Sequence, residues 1–149
     1  MRRYLLTTTA LLTLATPAAA QTSITTKRTD PVLTSTIKNG APDAVKITSA
    51  GSVQPTGGTA VTMDSNNSVT NEGTIAISNA NGAIGIAANA GTSGDITNSG
   101  TITIDETFTP TDVDNDGDID GPFAVGTDRA GIRIRGNLIG PEYLNIRAC

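Results

Sequence analysis

The sequence predicts an all-β chain, a short parallel β-helix (β-solenoid) of about four coils with an Asp-rich loop insertion. Three observations carry this expectation. First, Val69-Thr70-Asn71-Glu72-Gly73-Thr74-Ile75-Ala76-Ile77 recurs as Ile96-Thr97-Asn98-Ser99-Gly100-Thr101-Ile102-Thr103-Ile104, 27 residues later, with six of nine positions identical. A repeat at a period of 20–50 residues is the signature of a solenoid or array. Second, apolar residues alternate with polar ones in short runs bounded by Gly and Asn, which is the pattern of short strands. Third, the composition suits a narrow core: of 149 residues only 3% are aromatic, while 25 are Thr, 16 Gly and 11 Asn. A compact globular core leans on large aromatics; a solenoid column needs only a few aliphatics per coil.

Residues 1–20 read as a secretory signal peptide. Arg2 and Arg3 form a positive start, Tyr4–Ala15 is Leu-rich and apolar, and Ala18-Ala19-Ala20 supplies the small residues before a cleavage site ahead of Gln21. The apolar stretch is shorter than the roughly 20 residues a membrane helix needs, so no membrane span is expected in the mature chain. Residues 21–43 read as an N-terminal capping or linker segment.

The solenoid repeats are expected over 44–137. Ile75 and Ile77 share one face of a strand, as do Ile102 and Ile104, so stacked coils would bring them into an inner column. Asn71 would lie over Asn98 and Gly73 over Gly100. Both residue types tolerate the left-handed backbone of a corner, and stacked Asn side chains can hydrogen-bond along the stack. Thr74 and Thr101 fall on the outer face. A second pattern (small, apolar, variable, apolar) links Ala44-Val45-Lys46-Ile47, Ala60-Val61-Thr62-Met63, Ala83-Ile84-Gly85-Ile86 and Gly131-Ile132-Arg133-Ile134.

An acidic insertion is expected at about 106–125. Asp112-Val113-Asp114-Asn115-Asp116-Gly117-Asp118-Ile119-Asp120 has Asp at nearly every second position. The spacing matches the first half of an EF-hand-type loop. Asp112, Asp114 and Asp116 take loop positions 1, 3 and 5, Gly117 the sharp turn, Asp118 and Asp120 positions 7 and 9, and Ile119 an inward apolar anchor. Carboxylates crowded in this way repel one another without a cation. Position 12 is Phe123 rather than the bidentate Glu, so the expectation is weak Ca2+ binding of the extracellular kind.

Composition excludes several activities. With no His and one Cys, neither a His-dependent nucleophilic triad nor a His/Cys zinc site can be built. No Lys or Arg lies between Lys46 and Arg129, an interval holding eleven Asp and Glu. Such a surface repels nucleic acid and anionic lipid, so no nucleic-acid partner is expected. Polysaccharide hydrolysis needs two carboxylates across a bound sugar. Asp105 and Glu106 are sequence neighbours that would face opposite ways, so no enzyme activity is expected.

The signal peptide, the Thr-Asn-x-Gly-Thr-Ile-x-Ile repeats and the Ala-Ile-Gly-Ile segment resemble the N-terminal passenger region of bacterial autotransporters (type V secretion), over roughly residues 1–136. The resemblance implies export, display at the cell surface or outside it, and a structural or adhesive role. Such passengers precede a membrane β-barrel of at least eight strands, which nothing after Arg135 supplies; the expectation is a passenger truncated before the barrel, periplasmic if it stays there. The tail 138–149 departs from the repeat and ends on the lone Cys149. Competing expectations are a small secreted calcium-binding module and a polysaccharide-active β-helix enzyme. The partnership expected is with a surface or with further copies of the chain, through the solenoid coils.

Overall fold

The computed structural model describes residues 21–107, 109–121 and 124–136, together with the backbone of Asn145 and Ile146. The expected signal segment 1–20 lies outside the described residues, as do Phe123, Cys149 and most of the tail. Four rungs of strands stack along one axis. The first holds β1 (Gln21–Ile24), β2 (Lys27–Arg28) and β3 (Val32–Leu33), and the second β4 (Ala44–Ile47), β5 (Ser52–Val53) and β6 (Thr59–Met63). The third holds β7 (Val69–Asn71), β8 (Thr74–Ser78) and β9 (Ile84–Ala88), and the fourth β10 (Ile96–Asn98), β11 (Thr101–Asp105) and β12 (Ala130–Ile134). A last short strand, β13 (Asn145–Ile146), adds to one face.

The strands form three parallel sheets, ordered β1-β4-β7-β10-β13, β2-β5-β8-β11 and β3-β6-β9-β12. The chain visits each face once per coil, which makes a three-sided β-solenoid of about three turns from the first rung to the fourth. Residues 21–43 supply a strand to each of the three faces, so among the described residues the ladder is already in place at Gln21, ahead of Ala44. Among the described residues no helix is long and apolar enough to cross a membrane.

The core is the inside of this prism. Val45, Ile47, Val53, Val61, Met63, Val69, Ile75, Ile77 and Ile86 are essentially fully buried. Each such side chain is worth about 1.5–3 kcal/mol relative to exposure. The 27-residue repeat aligns as the sequence suggests: Ile75 pairs with Ile102, Ile77 with Ile104, Thr74 with Thr101 and Asn71 with Asn98. Asn71 is buried, and its side-chain amide donates to Asn98 Oδ1 at 2.7 Å while its Oδ1 accepts the Gly73 N–H at 3.2 Å.

Gly73 and Gly100 are needed for a different reason from the one the sequence suggests. Neither they nor the two Asn residues adopt a left-handed backbone. A Cβ on Gly100 would collide with the Gly73 backbone, and one on Gly73 with the carbonyls of Gly51 and Thr48. Gly51, Gly73 and Gly100 thus form a stack in which adjacent coils come too close for any side chain. The left-handed corners lie elsewhere, at Asn79 (φ 59°) and Gly82 (φ 65°), for instance.

The second pattern is corrected in two places. Ala44–Ile47 belongs to the face of β1 and β7, not to that of β6, β9 and β12. On the latter face Val61 pairs with Ile86, and Ile86 with Ile132. The segment that matches Ala60–Met63 and Gly131–Ile134 is therefore Gly85–Ala88, two residues beyond the expected start at Ala83. A slip of two keeps every side chain on its own face, so alternation alone does not detect it. The small residue is real: a Cβ on Gly85 would strike the Gly131 carbonyl and Ile102 Cγ2.

Stacking should make the cost of a core truncation depend on its rung. Ile75 has coils on both sides, whereas Ile102 lies at the last rung and is only partly buried. Ile75→Ala is expected to lower the unfolding free energy by about 2–5 kcal/mol, and Ile102→Ala by clearly less. Urea denaturation of the two variants followed by circular dichroism checks the ordering.

Candidate functional site

Two features occupy the span between β11 and β12. The first strand ends at Asp105 and the second begins at Ala130, whereas the equivalent corner one coil earlier runs only from Ser78 to Ile84. The register shows the same jump: 25 residues separate Val61 from Ile86, but 46 separate Ile86 from Ile132.

The acidic segment forms a tight loop closed at its base by a bridge between Thr111 and Asp120. The Asp120 N–H donates to the Thr111 carbonyl at 2.8 Å, and Asp120 Oδ2 accepts the Val113 N–H at 2.7 Å. Within the loop, Asp112 Oδ2 accepts from Gly117 N–H at 3.1 Å, Asp114 Oδ1 from Asp116 N–H at 3.3 Å and Asp116 Oδ1 from Asp118 N–H at 2.9 Å. These local side-chain to backbone bonds are turns that Asp favours. Gly117, the expected sharp turn, has φ of 94°.

Three of the five proposed ligands come together. Asp112, Asp114 and Asp116 each offer a carboxylate oxygen, and these atoms lie within 4.8 Å of one another. All three are exposed, and a metal ion could be held there. Asp118 and Asp120 are not in this group; Asp120 is engaged in closing the loop base. Ile119, expected as an inward anchor, is 48% exposed, and Val113 is exposed as well. Among the described residues of the loop none is buried, and Ile119 is not part of the hydrophobic core cluster.

The second feature fastens this loop to the stack. Glu106 accepts backbone N–H bonds from Val125 at 2.7 Å and Gly126 at 2.9 Å, and pairs with Arg129 at 3.0 Å. Arg129 in turn donates through Nε to the Ala80 carbonyl at 2.9 Å. The Glu106 and Arg129 side chains are 11% and 16% exposed. Asn79 reaches the same junction, exchanging hydrogen bonds with the N–H and hydroxyl of Thr107, and Asn81 Oδ1 accepts from the Thr127 N–H. Gly126 carries no side chain because Arg129 lies against it. Beside these groups is an open cleft of about 330 Å³, lined by Asn79, Asn81, Glu106, Thr107, Val125, Gly126 and Arg129.

Partial desolvation pushes the Glu106 carboxyl up, but the two backbone N–H groups and Arg129 outweigh it and hold the group below its ordinary value. Asp105, its neighbour, accepts instead from the Ser78 hydroxyl. The two carboxylates serve separate contacts and do not form a pair. Sequence spacing gave no sign of the Glu106–Arg129 pair. Its one signal was that Arg129 is the first cation after the long acidic interval.

Comparison with known proteins finds no matching family model, no matching curated protein and no matching solved structure.

A depressed carboxyl stabilises the folded state above its unfolded pKa, and that contribution is lost as pH falls through the lower folded value. The junction should therefore hold at neutral pH and open only on acidification below the ordinary glutamate value. Hydrogen exchange of the Val125 and Gly126 amides is expected to be slow at pH 6. Glu106→Gln should accelerate it there while leaving β4–β9 protected.

Proposed function

We propose that the chain is a non-enzymatic passenger module of an exported protein, a β-solenoid of the autotransporter-passenger kind with a structural or adhesive role at the cell surface or outside the cell. The observation that carries this reading is the outer surface of the stack. Ser52, Thr74 and Thr101 follow one another on one face, and Thr70 and Thr97 on another. Regularly spaced hydroxyl side chains on a stiff scaffold suit adhesion to a repeating polar surface better than turnover of a small substrate. The signal-like residues 1–20 and the acidic, His-free composition support export and argue against nucleic-acid partners.

The test is incubation of residues 21–149 with immobilised polysaccharides. Saturable retention is expected, with no shortening of the polymer chains. Release of oligosaccharides that stops on an Asp→Asn change would overturn the reading in favour of an enzyme.

A second reading rests on the Asp112, Asp114 and Asp116 cluster, which supports a weak calcium-binding module. With no bidentate Glu to complete the shell, affinity belongs to the extracellular range, with dissociation constants of about 0.1–1 mM. Calorimetric titration with millimolar CaCl2 is expected to give heat that is lost in Asp114→Asn. Absence of heat in the unaltered chain removes calcium from the account.

A further inference from the structure

The cleft at the loop junction lies at the end of a hydroxyl-bearing face. On β8 and β11 the outward positions run from Thr74 and Thr101 to Ser78 and Asp105, opposite to the inward Ile75 and Ile77. Asn79 and Glu106 follow at once, and both line the cleft. A strand of five residues covers about 13 Å. One extended polymer lying along that face therefore reaches the cleft.

What the cleft offers a ligand depends on which of its groups are already used. Both Glu106 oxygens are taken, Oε1 by the Val125 N–H and Oε2 by the Gly126 N–H and Arg129. The Asn79 amide is spent on Thr107, and Asn81 Oδ1 on the Thr127 N–H. Donors are left over. Among the described residues nothing accepts from Asn81 Nδ2, from Arg129 Nη1 or from the Thr107 hydroxyl. A site with spare donors and no spare carboxylate oxygen does not suit a metal cation or an ammonium group; it calls for a ligand that accepts.

Charge narrows the class. Arg129 is matched by Glu106 at 3.0 Å. The remaining field is negative, since Asp112, Asp114, Asp116, Asp118 and Asp120 belong to the same insertion and the whole chain carries a net charge of −4. Such a field repels an anion. Uncharged oxygen acceptors remain, the hydroxyl and ring oxygens of a sugar being the densest set of them. Val125, 73% exposed at the rim, supplies an apolar surface for the C–H face of a ring. The volume of about 330 Å³ is at the small end of ligand clefts, which run from roughly 300 to 1,000 Å³. That is room for a single ring, and the open side lets neighbouring units continue outward. Glu106 and Arg129 are mostly buried and already bonded, so little ordering is required on binding.

We propose that this cleft is a subsite for one uncharged hexose unit of a polysaccharide, whose oxygens accept from Arg129 Nη1, Asn81 Nδ2 and the Thr107 hydroxyl. The polymer context rests on the adhesive reading given under Proposed function; the subsite itself is tested with free sugars.

The test is an NMR titration of ¹⁵N-labelled residues 21–149 with millimolar glucose, galactose, mannose and N-acetylglucosamine, each alone, and with sodium acetate. At least one sugar is expected to move the Val125 and Gly126 amides and the Asn81 side-chain amide saturably, leaving β4–β6 unmoved. Asn81→Asp keeps the acceptor for Thr127 and drops the donor, and should weaken binding about tenfold, as expected for loss of one hydrogen bond. Val125→Ser, at an exposed site, should weaken it as well; it carries the comparison if Asn81→Asp loses its β-sheet circular dichroism. Four sugars that move none of these signals overturn the inference. So does acetate moving them as far as the sugars do, which makes the cleft an anion site, and so does sugar binding that neither variant weakens. Retention on immobilised polysaccharide by a chain whose cleft ignores free sugars removes the subsite and leaves the adhesive reading standing. Sugar shifts at the cleft without retention on any polysaccharide do the reverse.

Discussion

Parallel backbone pairing between coils sets each inward side chain about 4.8 Å above its counterpart, and the rest of the molecule follows from that spacing. Because the ladder copies position from coil to coil, an inward aliphatic residue packs best where the adjoining coils offer another at the same position. The columns Val53–Ile75–Ile102 and Val61–Ile86–Ile132 meet this condition. So does the Asn71–Asn98 pair, where a buried amide finds its partner in the same residue type one coil along. The glycine stack at Gly51, Gly73 and Gly100 is the other side of the constraint: where a corner brings coils into backbone contact, no Cβ fits. A core of this kind is thin and needs no large aromatics, which accounts for a chain with so few of them.

The constraint also separates what is fixed from what is free. Inward positions are dictated by their neighbours in the stack, while outward positions are not. Outward positions carry the Thr and Ser residues on which an adhesive role would rest, and a corner can lengthen without disturbing the ladder. The span between β11 and β12 uses that freedom. Its acidic loop stands away from the core, and its return to the stack is secured by Glu106, Arg129, Asn79 and Asn81 at the junction. An exposed carboxylate cluster on a fastened stalk is a reasonable place for a hard cation, because the junction leaves the loop tip unburied.

Much of this was legible in the sequence where the same residue recurs at the same position. The 27-residue repeat gave the register of β7–β8 against β10–β11 outright, and the alternating Asp residues gave the Asp112, Asp114 and Asp116 cluster. Legibility failed where alternation was the only signal. Ala83-Ile84-Gly85-Ile86 fits the stack equally well at either of two alignments two residues apart, and the groups that crowd Gly85, the Gly131 carbonyl and the Ile102 side chain, are distant in sequence. Ala44-Val45-Lys46-Ile47 has the same pattern as β6 yet lies on another face, because local alternation identifies a strand and not the sheet it joins. The first rung was unreadable because Thr22 and Arg28 stand where the next coil carries Val45 and Val53, which breaks the pattern that marks a coil. The Glu106–Arg129 contact joins residues brought together by the fold, which spacing does not reveal.

The central claim is that stability resides in coil-on-coil stacking, and native-state hydrogen exchange resolved by residue tests it most directly. Protection is expected to be greatest in the two inner rungs, at Val53, Val61, Ile75 and Ile86. It should fall toward β11 and β12 and be least in the loop around Asp114. Uniform protection along the axis, or protection greatest in the fourth rung, would contradict the account.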